Sequence, residues 1–230
     1  MKIEGIQTLT LLDYPGKVAC TVFAPGCDFR CPFCHNASLV LPGRAGPEVP
    51  EKELFALLKK RLGVLDGMCV TGGEPTLQPG LPDFLRRIKA LGYAVKLDTN
   101  GARPGVLRVL AEEGLVDYVA MDIKNCPERY AETAGVPGLD LAPIRESADF
   151  LRKGDLPFEF RTTVVRPLHD ALCFQSIGVW LAGEEAYFLQ GFQDSGDLIG
   201  TGLSPFLEEE MMEFRTILSE FIPNTTLRGL

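Results

Sequence analysis

Val18-Ala-Cys-Thr-Val-Phe-Ala-Pro-Gly-Cys-Asp-Phe-Arg-Cys-Pro-Phe-Cys-His-Asn36 is the stretch on which the reading of this chain turns. Its first six residues, Val18–Phe23, form an apolar run of the length and β-branched content of a buried strand. A Pro-Gly break follows, then a loop carrying Cys27, Cys31 and Cys34. In parallel α/β sheets functional groups gather just beyond the carboxyl ends of the strands, so a buried strand running into such a loop points to that class of fold.

The unit recurs along the chain. Gly67–Thr71, Tyr93–Asp98, Val116–Asp122, Phe158–Val165 and Glu185–Leu189 read as further strands. Helical periodicity separates them, with Leu54, Leu57, Leu58 and Leu62 on one face of Glu51–Leu62. Leu81–Leu91, Gly105–Glu113, Leu141–Arg152, Ala171–Leu181 and Pro205–Phe221 are the other predicted helices, several bounded by Pro104, Gly92 or Gly114. Alternation of this kind predicts a parallel sheet with right-handed crossovers, closed or partly closed as a barrel. Pro42–Pro50 reads as a surface loop, and residues 1–230 as a single domain without repeats. The polar groups after the strands are Cys27–Cys34, Gly72–Glu74, Asp98–Asn100, Asp122–Lys124 and Gln190, all predicted to meet on one rim.

Composition narrows the function classes. The 230 residues are 46% hydrophobic and 23% charged, in the range of folded soluble chains. Their formal charge of -8 speaks against nucleic acid as the main partner, which needs clustered cations. The longest apolar runs are strand length, too short to cross a bilayer, and Met1–Val22 lacks the pattern of a signal peptide. A cytosolic location is expected. Seven cysteines in a reducing compartment then favour metal binding or catalysis over disulfides.

Three thiolates in one short loop can hold three irons of a cubane 4Fe–4S cluster, whereas cluster sites usually supply four. A missing fourth protein ligand leaves one iron open to a reactant, as catalytic zinc sites leave a position open. Cys20, Cys69, Cys126 and Cys173 have no paired spacing, and Cys20 and Cys69 read as small buried hydrophobes. Two rivals exist. Cys31-Pro-Phe-Cys34-His35 matches the c-type haem attachment pattern but leaves Cys27 unexplained; half of a zinc site is present without its other half.

With an aromatic before its last cysteine, Cys27-x3-Cys31-x-Phe33-Cys34 resembles the radical S-adenosylmethionine (SAM) motif. Together with Asp13-Tyr-Pro-Gly16 and Cys34-His-Asn36 it is most similar to the glycyl-radical-enzyme activases, above all those of anaerobic ribonucleoside-triphosphate reductase, from about Gly5 to Gln190. The resemblance implies a partial (β/α)6 TIM-like barrel of the radical SAM type. It implies a 4Fe–4S cluster on Cys27, Cys31 and Cys34 whose open iron binds SAM. Gly73, in Thr71-Gly72-Gly73-Glu74-Pro75, is implied to meet the methionine amino group. Asp98 and Thr99, beside Asn100 in Leu97-Asp-Thr-Asn-Gly101, would hold the aminoacyl end. Asp122 would accept from the ribose hydroxyls, Lys124 would face the SAM carboxylate, and Arg161 would lie near SAM. Phe33 and His35 would present backbone to adenine.

The implied partners are a glycyl radical enzyme and, as electron donor, a flavodoxin or ferredoxin. Two departures bear on the subtype. Phe188-Leu-Gln190-Gly-Phe192 stands where pyruvate formate-lyase activases carry a histidine, and no cysteine-rich ferredoxin insert is present. The alternatives are the activase of another glycyl radical enzyme, a radical SAM enzyme acting on a small molecule (7-deazaguanine-type ring contraction), and an electron-transfer or zinc module without turnover. His169 reads as structural. Met211, Phe214, Leu218 and Phe221 form a stripe suited to packing on the barrel or to docking.

Overall fold

The computed structural model describes residues 1–44 and 46–230. Of the predicted loop Pro42–Pro50, Ala45 lies outside the described residues; the remainder has no regular structure. Eight strands form one sheet in chain order: β1 (Gly5–Thr10), β2 (Ala19–Ala24), β3 (Gly67–Gly72), β4 (Ala94–Thr99), β5 (Tyr118–Asp122), β6 (Phe158–Val164), β7 (Ala186–Gly191) and β8 (Thr225–Arg228). From β2 to β8 every neighbouring pair is parallel. β1 alone runs antiparallel, pairing Gly5 with Phe23 and Gln7 with Thr21 before its register shifts. Among the described residues edge strands β1 and β8 do not pair, and the sheet is a partial barrel with a seam.

The helices between are α1 (Ala37–Val40), α2 (Glu51–Lys60), α3 (Leu81–Ala90), α4 (Pro104–Glu112), α5 (Tyr130–Ala134), α6 (Ala142–Lys153), α7 (Ala171–Leu181) and α8 (Glu208–Ser219). Their apolar stripes explain their seats. In α3, Leu81, Phe84, Leu85 and Ile88 are all buried, the spacing of one helical face. Each such side chain contributes about 1.5–3 kcal/mol when taken out of water. In α8, Met211, Phe214 and Leu218 are buried, and Phe214 lies 4.8 Å from Phe174 of α7. The predicted stripe therefore packs inward. Its fourth member, Phe221, sits beyond the helix and fills the space beside Gly178, where any Cβ would collide with its ring.

The predicted strands correspond to β2–β7, with ends differing by one or two residues. β1 and β8 escaped the pattern for a physical reason. Gly5–Thr10 is half exposed and lacks an apolar run, and Thr225–Arg228 is only four residues long. The interior face of the barrel is unusually polar: Thr21, Lys96, Glu159 and Thr162 are all buried.

Candidate functional site

A cavity of about 470 Å³ opens at the carboxyl ends of the parallel strands. Every candidate named from the sequence borders it: Cys27, Cys31, Phe33, Cys34 and His35 on one wall, Gly72–Glu74 and Asp98–Asn100 beside them, and Asp122, Lys124, Arg161 and Gln190 opposite. Gln7, Asp13, Thr21 and Thr163 also line it.

The cysteine loop is held from outside. Gln78 donates to Pro25 O at 2.9 Å, Gly26 N donates to Leu39 O at 2.8 Å, and Arg30 caps the carbonyls of Cys27 and Phe29 at 2.6 and 2.7 Å. Asn36 Nδ2 donates to Gly72 O at 3.1 Å, tying the end of the loop to the glycine turn. That turn is pressed against the loop's start: Gly73 N donates to Ala24 O and Glu74 N to Gly26 O. Gly72 adopts φ +115°, and a Cβ on Gly73 would strike the Gly26 carbonyl. Only glycine permits both the backbone conformation and the approach.

Glu74 looks inward. Its carboxylate, 1% exposed, accepts from Thr76 N, Thr76 Oγ1, Thr99 Oγ1 and Asn100 N at 2.5–3.0 Å. Burial pushes its pKa up, and those four donors pull it back only in part. The side chain thus joins the loops after β3 and β4 and has no free oxygen for a ligand. Asn100 continues the tie by donating to Asp28 Oδ1 at 2.8 Å, within the cysteine loop.

On the opposite wall charges alternate in sequence through the barrel interior. Arg228 meets Glu159 at 3.0 Å, and Glu159 lies 3.8 Å from Lys96. Lys96 lies 3.7 Å from Asp98, and Asp98 meets Arg161 at 3.1 Å. Arg161 then binds Asp122, and Lys124 reaches Asp122 at 2.9 Å. Burial alone would push the Asp122 carboxyl up, but Arg161 and Lys124 outweigh it and hold it well below the usual carboxylate range. For Lys124, burial pulls down while Asp122 and Cys31 push up, and the ammonium stays protonated. Lys96, Glu159 and Arg228 were not named from the sequence. The signal for Lys96 and Glu159 was present in Lys96-x-Asp98 and Glu159-x-Arg161, charges at period two inside apolar strands, which must share one face; Arg228, in a four-residue strand, left none.

Among the described residues no three His, Cys, Asp or Glu side chains converge on a single-ion site. A cubane asks for something else, since each thiolate binds a different iron. All three cysteines are free, and burial pushes Cys27 up to about 12, Cys31 up to about 11 and Cys34 upward. Such thiols stay protonated until a metal supplies the compensating charge. The donor set fits: three soft ligands on one wall, no fourth cysteine in the cavity lining, and Lys124 favouring each thiolate from across the cavity.

The comparisons with known proteins agree with this geometry. The Radical SAM superfamily profile matches residues 21–171, from β2 to the first turn of α7. A protein of Methanocaldococcus jannaschii, provisionally named a glycyl-radical enzyme activating enzyme, is 32% identical over 99% of this chain and 96% of its own. The pyruvate formate-lyase-activating enzyme of Listeria monocytogenes is 29% identical over 71% of this chain and 68% of its own. In fold the chain is similar to Streptococcus suis SuiB bound to the precursor peptide SuiA, with a TM-score of 0.71 at 13% identity, over 91% of this chain and 48% of that one. With a family match across most of the barrel and three thiols facing a cavity, the chain belongs to the radical SAM superfamily and is an enzyme that works with a 4Fe–4S cluster and SAM.

Proposed function

We propose that this enzyme activates a glycyl radical enzyme, and that its partner is an anaerobic ribonucleoside-triphosphate reductase. The observation that carries the reading is the pairing of a three-thiol wall with a charged wall across one cavity. When bound, the cluster would supply one electron to SAM, releasing methionine and a 5′-deoxyadenosyl radical able to take a hydrogen atom from a backbone glycine. The chain's own residues bind and orient. Cys27, Cys31 and Cys34 hold the cluster. Gly73 lets the backbone approach the methionine amino group, and Lys124 offers its ammonium to the carboxylate. Asp98 and Thr99 border the aminoacyl end, Asp122 the ribose hydroxyls, and Phe33 and His35 the adenine, with Arg161 and Gln190 completing the wall.

Two of these assignments take a shape the sequence did not suggest. Arg161 is committed to Asp98 and Asp122, so its guanidinium fixes both carboxylates and leaves Asp98 little freedom. The Thr99 hydroxyl donates to Glu74, so Thr99 frames the aminoacyl end through its backbone, with Glu74 as its brace. A flavodoxin or ferredoxin in the reducing cytosol would deliver the electron.

The test is anaerobic reconstitution followed by mixing with the reductase, SAM and a reductant. A glycyl radical signal in electron paramagnetic resonance is expected with the wild type, and none with Cys31→Ala, which also loses SAM cleavage. Cleavage of SAM that never yields a radical on the reductase, together with turnover of a 7-deazaguanine precursor, would replace the activase reading by the small-molecule one.

A further inference from the structure

β5 stops pairing with β6 at Asp122, opposite Arg161, yet the chain beyond it is fixed residue by residue. The Asp122 carbonyl accepts from Tyr130 Oη at 3.3 Å. The Ile123 carbonyl accepts from Thr162 Oγ1 at 2.7 Å, whose oxygen in turn lies 2.7 Å from Tyr187 Oη. The Lys124 carbonyl contacts His169 Nε2 at 2.9 Å. Asn125 is pinned through its side chain, which donates to Thr133 Oγ1 and Leu168 O at 2.8 and 2.7 Å. Three successive carbonyls are thus each held by one buried side chain, from α5, β6 and the loop before α7.

His169 is the member whose chemistry is specific. A carbonyl can only accept, so Nε2 carries a proton and donates to Lys124 O; Nδ1 lies 3.2 Å from both Val165 N and Val165 O. Burial keeps the ring neutral near pH 7, so its one hydrogen sits on Nε2 and Nδ1 accepts from Val165 N. The ring is buried and stacked on Phe174 with centroids 5.9 Å apart. No candidate role in ligand contact uses His169, and it does not border the cavity.

We infer that His169 is a positioning residue for Lys124: by fixing the Lys124 carbonyl it fixes the backbone from which the ammonium reaches across to Asp122 and toward the carboxylate of SAM. The inference rests on Lys124 facing that carboxylate. A side chain held in its binding geometry before the ligand arrives loses less entropy on binding, so the arrangement raises affinity without touching SAM.

The experiment is calorimetric titration of SAM into the anaerobically reconstituted holoprotein, with iron content as the control for cluster loading. Lys124→Met weakens SAM binding, and His169→Leu weakens it about tenfold, as expected when one pre-organising hydrogen bond is lost. His169→Gln, whose amide nitrogen stands near the Nε2 position, restores most of the affinity, whereas His169→Asn, whose nitrogen falls short, does not. The His169→Leu/Lys124→Met double variant loses less than the sum of the single losses, because the first change acts through the second residue. Unchanged affinity in Lys124→Met overturns the reading of Lys124 and the inference with it. Weakened binding in Lys124→Met beside wild-type affinity in His169→Asn, or strictly additive losses, overturns the inference alone. Should the leucine variant not fold, the Gln and Asn pair decides the matter.

Discussion

At His169 the structure turns a residue without visible partners in sequence into one with a measurable pH signature. Burial holds its imidazole down to about 4, against an ordinary value of 6.5. Between those values the unfolded chain binds a proton that the folded chain refuses, so stability from this group is complete above pH 6.5 and declines as the pH falls toward 4. From neutrality to about pH 5 the expected loss is about 2 kcal/mol. Urea unfolding of wild type and His169→Gln at both pH values reads it: the variant shows a shallower loss, and parallel losses would refute the assignment. The sequence could not reveal this, because the partners of His169 are main-chain atoms, and backbone carbonyls leave no trace in residue identity.

Among the elements, the glycine turn after β3 is the most constrained. Gly73→Ala is expected to destabilise the protein by about 2–4 kcal/mol and to cut iron incorporation, since the methyl can be accommodated only by parting the turn from the cysteine loop. Thermal melting and iron content after reconstitution check it; a variant that melts like the wild type and holds full iron would show that the two loops need not touch. The elements themselves were legible where burial is two-sided. β2–β7 announce themselves as apolar runs, and α3 as a stripe, because packing imposes a period. The edge strands β1 and β8 have one neighbour each and no such pressure, so nothing in Gly5–Thr10 or Thr225–Arg228 marks a strand. The site loops were legible because they follow strand ends and carry rare side chains in tight clusters. Glu74 was legible as a member of the site and not as its brace, since four donors from two loops come together only in three dimensions.

Across the whole molecule the interior charges act as one system. Glu159, fully buried, is the carboxylate shared by Lys96 and Arg228, and it also accepts from Tyr118 Oη at 3.0 Å. Glu159→Gln takes an anion from the buried Lys96 and the partly exposed Arg228 and is expected to destabilise by about 3 kcal/mol in denaturant unfolding. Adding Lys96→Met should recover part of that loss by removing an ammonium left with Asp98 as its one carboxylate neighbour among the described residues, and a double variant no better than the single would show that the charges are independent. The same series has a parity. Its members run Arg228, Glu159, Lys96, Asp98, Arg161, Asp122, Lys124, an odd number beginning and ending on a cation. Arg228 closes its end against the ring of Phe188, whereas Lys124, with a single carboxylate neighbour among the described residues, ends at the cavity. An anion arriving there becomes the eighth rung of a ladder already built.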